Sequence, residues 1–136
     1  MINKAIIALG SNIDPKKNVS KARGLLSQKF QIIKESRFIR TKPIGISKQP
    51  DFINGVVYIQ TENELKQLKR NLKTIETLLG RKKGKEKFGP RTIDLDIVVW
   101  NNSIIDTDFY KRPYLKKSVL EILPNLKEKS CMKSVL

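Results

Sequence analysis

The chain has no histidine in its 136 residues. That absence removes imidazole both as a metal ligand and as a general base working near neutral pH. One cysteine, Cys131, allows neither an intramolecular disulfide nor a thiolate metal cluster, which suits a reducing, cytoplasmic setting. The apolar run Ala5–Leu9 stops at Gly10-Ser11-Asn12, too short for a membrane span and without the cleavage pattern of a secretory leader. It reads as a buried first strand, with no membrane partner expected. Neither a Walker A loop nor a G-x-G-x-x-G turn occurs, so any bound nucleotide needs another arrangement. Aromatic residues make up only 7%, and no RNP-like pattern is found, which argues against a sheet that stacks RNA bases.

Positive charge, by contrast, is abundant. Twenty-eight Lys and Arg against thirteen Asp and Glu give a net charge of +15. Such an excess attracts polyanions, with nucleic acid, a membrane surface and nucleotide phosphates all open on charge alone, and a lysine-rich composition with no specific partner is equally compatible. The length fits one domain spanning residues 1–136, and 39% apolar residues suffice for a folded core.

Periodicity places the elements. Asp14-Pro15 reads as an N-cap followed by a proline at the first helical position, with Val19, Ala22, Leu25 and Leu26 as the buried face. Phe30 to Arg40 reads as a strand, Thr41 to Pro50 as a loop, and Asp51 to Gln60 as a second strand. Thr61 and Glu64 have capping-box spacing ahead of a stripe of Leu65, Leu68, Leu72, Ile75 and Leu79, which Gly80 ends. The charged run Arg81 to Lys87 predicts a mobile loop. Ile93 to Trp100 is a strand with Ile93, Leu95, Ile97 and Val99 on one face and Asp94, Asp96 and Val98 on the other. A short helix over 118–123, after a loop around Pro113, completes the chain. The order β-α-β-β-α-β predicts an α+β sandwich of the ferredoxin-like type, mainly antiparallel, with helices packed on the sheet.

Asp94 and Asp96 are the most informative pair. Side chains two apart on a strand project the same way, with Cα atoms roughly 6.6 Å apart. Two ionised carboxylates so placed repel each other unless a cation joins them. Magnesium takes oxygen ligands and is often held by one or two carboxylates, completed by substrate phosphates and water. A solvent-facing acidic edge, or salt bridges to nearby lysines, fits the alternation as well. Arg91, behind Gly89-Pro90, and Arg81, at the helix end, weigh towards phosphate chemistry, because a guanidinium fork matches phosphate oxygens.

Gly89-Pro90-Arg91-Thr92-Ile93-Asp94-Leu95-Asp96-Ile97 resembles the signature of the 6-hydroxymethyl-7,8-dihydropterin pyrophosphokinase family of folate biosynthesis. The resemblance runs collinearly through Ala8–Asn12, Thr41–Gly45, Gln49–Asn54, Ile75-Glu76, Gly80-Arg81 and, weakly, Leu120–Pro124. It implies transfer of diphosphate from ATP to the pterin hydroxymethyl group, with release of AMP. It further implies that Asp94 and Asp96 hold two Mg2+ ions and that Arg81 and Arg91 assist transfer. ATP would lie against Lys73, Glu76, Ile97, Arg112 and Tyr114. The pterin would be bound by Thr41, Pro43, Ile44, Gly45, Phe52, Asn54 and Phe88, with Phe52 stacking and Asn54 reading the ring edge. The partners implied are small molecules only, with no nucleic acid, and a monomer is expected. The family's His-Tyr pair falls here on Pro113-Tyr114-Leu115. Its further phosphate arginine and second stacking aromatic have no counterpart between Lys117 and Leu120. Two alternatives follow: a degenerate homologue that binds Mg-ATP with little transfer, and a basic nucleic-acid-binding ferredoxin-like module.

Overall fold

Strand β1 (Asn3–Ser11) is buried along almost its whole length, so both faces of the sheet around it must be covered. The computed structural model describes residues 1–43, 48–81 and 92–128. After β1 come α1 (Pro15–Lys29), β2 (Gln31–Glu35), β3 (Ile39–Thr41), β4 (Phe52–Thr61) and α2 (Leu65–Leu78). The chain continues as β5 (Asp94–Trp100), β6 (Ser103–Ile104), α3 (Asp108–Lys111) and α4 (Pro113–Ile122). The sheet is antiparallel with order β2-β4-β1-β5-β6, and β3 also pairs with β4. Helix α1 carries the chain from β1 to β2 across β4, and α2 carries it from β4 to β5 across β1. These are two split crossovers around a central β1, and the fold is α+β, as the element order predicts.

Side-chain alternation sorts two cores. Ala5, Ile7 and Leu9 of β1 meet Val57, Ile59, Leu95 and Ile97 under α1 and α2, which contribute Val19, Ala22, Leu26, Leu68, Leu72 and Ile75. Ile6 and Val56 join Val98, Val99, Phe109, Leu115, Val119 and Ile122 on the other face, beneath α3 and α4. Val99 departs from the simple alternation. The β1–β5 register pairs Ile7 with Ile97 but Ile6 with Val99, so Val98 is an extra residue, a β-bulge. Past it every side chain changes face, which puts Val99 beside Val98 and turns Trp100 towards the α1/α2 core.

Three further local expectations are corrected. The stretch from Phe30 to Arg40 is two strands, broken where the buried Ser36 bonds β4: its N–H donates to Val56 O and its Oγ accepts the Val56 N–H, both at 2.9 Å. Thr61 and Glu64 form no capping box. Thr61 still belongs to β4, its Oγ1 accepts the Asn63 N–H at 3.0 Å, and the helix begins only after Glu64. Pro113 opens α4 rather than sitting in a loop, because a proline at the first helical position loses no intrahelical hydrogen bond. Helix α4 is therefore longer than the 118–123 segment read from the sequence. Asp14 does stand at the N-cap of α1 with Pro15 after it, but its carboxylate makes no capping bond. Among the described residues, no helix is long and apolar enough to cross a membrane.

Candidate active site

Register gathers the site. Asn54 of β4 faces Gly10 of β1, and Gly10 faces Asp94 of β5, so the three form one row across the sheet. In the next row Val56, Ala8 and Asp96 stand side by side. Phe52 lies two residues from Asn54 on the same face and is paired with Thr41 of β3. Adjacent strands are about 4.8 Å apart, so Asn54 and Asp94 stand roughly 10 Å from each other at Cα. The two smallest side chains, those of Gly10 and Ala8, lie between them and make a trough.

Gly10 is needed there for a steric reason. A Cβ at this position would sit 2.4 Å from Asn54 Oδ1. The Asn54 amide thus leans over the glycine, while its Nδ2 donates to Thr41 Oγ1. The trough opens into a cleft of about 840 Å3, open mouth included. Phe52, Asn54 and Thr41 line it on one side, Asp94 and Asp96 on the other, and Arg112 and Tyr114 face it from the α3–α4 segment. Lys42, Asp106, Asp108, Leu115 and Ser118 line it as well. Lys42 and Leu115 fall inside matching segments, whereas Asp106, Asp108 and Ser118 fall in none. Gly10 lies inside the matching Ala8–Asn12 segment, but only the strand register shows what it does.

Carboxylates crowd the acidic side. Asp96 loses part of its hydration to the cleft walls and faces Asp94, Asp106 and Glu76, which pushes its carboxyl up to about 7. Asp106 is raised by burial, although its carboxylate accepts the Asp108 N–H at 2.9 Å. The Asp96 side chain remains open to solvent through the cleft mouth, so an ion reaches it without moving the core. Among the described residues no group of three carboxylate, thiol or imidazole side chains converges on a point. Among the described residues, Asp94 and Asp96 offer a cation two carboxylates. That donor set fits a hard divalent ion which takes its other ligands from phosphate and water.

The back of β5 is built differently. Gly80 adopts φ 92° after α2, and the helix ends with Gly80 N–H on Thr77 O and Arg81 N–H on Glu76 O, both at 3.0 Å. This turn folds Arg81 back over Glu76. Its Nη1 lies 2.7 Å from both Glu76 Oε2 and Asp94 Oδ1. Glu76 is only 9% exposed and also accepts the Leu95 N–H at 2.7 Å. Burial raises its pKa, while the Leu95 bond and Arg81 pull the other way.

Of the residues expected around ATP, Arg112 and Tyr114 reach the cleft; Glu76 is buried on the α2 side, and Ile97 points into the α1/α2 core. Lys73 is exposed on α2, one turn before Glu76. Arg112 is tied to Asp108 at 3.3 Å. Tyr114 is half-buried, and burial raises its pKa. Pro43 is half-buried just beyond β3. Ile44, Gly45, Phe88, Arg91 and the Lys82–Lys87 run lie outside the described residues.

Comparison with known proteins agrees with this assembly. The model of the 7,8-dihydro-6-hydroxymethylpterin-pyrophosphokinase family matches residues 6–124. The 2-amino-4-hydroxy-6-hydroxymethyldihydropteridine pyrophosphokinase of Haemophilus influenzae is 34% identical over 133 residues, covering 90% of this chain and 82% of that protein. The Bacillus subtilis protein of the same name is 33% identical, covering 96% of this chain and 84% of its own length. That of Aquifex aeolicus is 33% identical over 88% of this chain and 80% of its own length. The chain belongs to the 7,8-dihydro-6-hydroxymethylpterin-pyrophosphokinase family.

Proposed function

We infer that the protein transfers diphosphate from ATP to the hydroxymethyl group of 6-hydroxymethyl-7,8-dihydropterin in folate biosynthesis. The observation that carries this reading is a single cleft, in a chain of this family, that joins Phe52 and Asn54 to Asp94 and Asp96 across the Gly10 trough. In the reaction the hydroxymethyl oxygen attacks the β-phosphorus of ATP. A new O–Pβ bond forms, the bond from Pβ to the oxygen that bridges to Pα breaks, AMP leaves carrying that oxygen, and the hydroxyl proton is lost to solvent. The residues act mainly by positioning and by charge, which is most of what phosphoryl-type transfer requires.

Phe52 provides an apolar face for the pterin ring. Asn54, held by Thr41, presents its amide to the ring's hydrogen-bonding edge. The trough over Gly10 and Ala8 lets the short hydroxymethyl arm point towards the acidic pair. Asp94 and Asp96 would hold two Mg2+ ions, which supply Lewis-acid neutralisation of the phosphates when bound. Arg112 and Tyr114 meet the phosphate side of the cleft, and Glu76, Ile97 and Lys73 border the nucleotide from the α2 side. Arg81 and Arg91 offset the charge that moves onto the leaving AMP. Pro43, Ile44, Gly45 and Phe88 would be further contacts of the pterin.

The +15 charge then serves to draw in a polyanionic nucleotide. We further propose that the protein works in the cytoplasm as a monomeric single domain over residues 1–136, without nucleic acid. The matched relatives are named as pyrophosphokinases, and nothing among them favours a transfer-poor nucleotide binder or a nucleic-acid module. The test is pterin-dependent AMP release from Mg-ATP by the purified protein. Asp94→Ala and Asp96→Ala are each expected to lower it by at least about a hundredfold. Full turnover in both variants would end the assignment of the aspartates, and absence of AMP from the unmodified protein would end the functional reading.

A further inference from the structure

One guanidinium nitrogen serves two carboxylates at the back of the acidic pair. Arg81 Nη1 is 2.7 Å from Asp94 Oδ1 and 2.7 Å from Glu76 Oε2, and it approaches Ile93 O at 3.4 Å. Its side chain is only a quarter exposed. The arrangement is enforced from the backbone, because the left-handed Gly80 turn pins the Arg81 N–H to Glu76 O. Glu76 is itself fixed. Strand β6 pairs only with Val99 and Trp100, so among the described residues no strand lies beside the outer edge of β5 at Leu95, and Glu76 accepts that Leu95 N–H. A single buried carboxylate thus holds both the backbone between Asp94 and Asp96 and the arginine that neutralises Asp94.

We propose that Arg81 is the resident counter-ion of Asp94 before metal binds, and that cation loading exchanges Asp94 from Arg81 to the metal. The inference rests on the functional reading above, in which Asp94 holds a divalent ion. Its physical basis is charge. A divalent ion on Asp94 beside a guanidinium on the same carboxylate places cations next to each other, and the weaker partner gives way. Glu76 keeps its own contact with Nη1, so the displaced arginine stays tethered by its second anchor within reach of the cleft. The pairing keeps Asp94 compensated in the free protein, and it delivers Arg81 only once the cation is in place. Glu76 is accordingly a positioning residue, acting through Arg81 and the Leu95 backbone.

Two measurements on the full chain test this, both without ATP or pterin. In the first, Mn2+ binding is followed by electron paramagnetic resonance. Arg81→Ala is expected to bind Mn2+ about tenfold more tightly than the unmodified protein, because the ion no longer displaces a partner. Arg70→Ala removes an exposed positive charge from the same helix, away from Asp94, and is expected to change affinity less than twofold. Equal tightening in both variants, or none in Arg81→Ala, overturns the exchange. The second needs no folded variant. Phenylglyoxal modification of Arg81, read by mass spectrometry against the exposed Arg70, is expected to quicken several-fold when Mn2+ is added. An Arg81 rate indifferent to Mn2+ overturns the proposal. The two levels of the argument fail separately. No Mn2+ binding by the unmodified protein removes the metal assignment and the exchange together, whereas AMP release with an Mn2+-indifferent Arg81 removes the exchange alone.

Discussion

Replacing Gly10 by alanine isolates the trough from the rest of the fold. The added Cβ would meet Asn54 Oδ1 at 2.4 Å, whereas ordinary contact begins at 3.4 Å, so the amide oxygen must retreat by about 1 Å. Gly10 does not occupy the left-handed region, and the clashing atom is the end of a side chain. The backbone therefore accepts alanine, and the cost in stability stays within about 1 kcal/mol. The retreat falls on the group that reads the pterin ring. Misaligning one or two hydrogen bonds to a buried polar edge costs about 1–3 kcal/mol, or about tenfold to a hundredfold in affinity. The new methyl group also narrows the path from Asn54 to Asp94. Calorimetric titration with the reduced pterin, in the presence of Mg2+ and a non-hydrolysable ATP analogue, is expected to show that loss. Binding of the analogue alone, which meets Asp94 and Asp96 beyond the trough, is expected to change less than twofold. Unchanged pterin affinity in a folded variant would refute the role of Gly10, as would an equal loss of nucleotide binding.

The remaining predictions concern the acidic side and its support. Asp96 has a raised folded-state pKa, so the folded protein binds more protons than the unfolded chain between about pH 4 and 7, and its stability falls relative to an uncharged side chain as pH rises through that window. In cation-free buffer, Asp96→Asn is therefore expected to raise Tm near and above neutral pH, with the gain vanishing below about pH 4. A Tm advantage that stays constant with pH would refute the shift. Added Mg2+ is expected to stabilise the unmodified protein more than Asp96→Asn, because only the former keeps both carboxylates. Gly80→Ala forces alanine to φ 92° and is expected to cost about 1–2 kcal/mol in urea unfolding while loosening Arg81 from Asp94; a neutral effect would mean that the turn is not what places Arg81.

Period-two and period-3.6 patterning made β1, β4, β5, α1 and α2 legible in the sequence, because each buries a regular stripe. Patterning failed where one residue was added or one rule of thumb misled. Val98-Val99 continues an apolar run whether or not a bulge lies there, and only pairing with Ile6 and Ile7 reveals it. Pro113, expected in a loop, opens a helix instead. At the site, Asp94 and Asp96 were visible because they lie two apart on one strand. The Arg81–Asp94 contact was not, because it spans 13 residues and depends on the dihedral of Gly80. Thr41 and Asn54 were named, but their mutual hydrogen bond needs the β3–β4 pairing to be seen.

The topology explains why acceptor and cation groups share one cleft. Both crossover helices, α1 and α2, cover the same face of the sheet, which leaves the opposite face to the short α3 and to α4. Near Gly10 the outward rows of β3, β4, β1 and β5 line the cleft. Because β1 is central, the strand that must be small, with Gly10 and Ala8, lies between a strand carrying Phe52 and Asn54 and a strand carrying Asp94 and Asp96. Exchanging β1 with either neighbour would put a bulky or charged row in the middle and separate the ring from the metal. The second crossover does one more thing: it ends α2 beside the outer edge of β5, where Glu76 accepts the Leu95 N–H and Arg81 meets Asp94 from behind. The acceptor therefore approaches the aspartates along the sheet face, and the arginine approaches them from the strand edge. An in-line transfer between two oxygens needs access from two directions, and this strand order provides it.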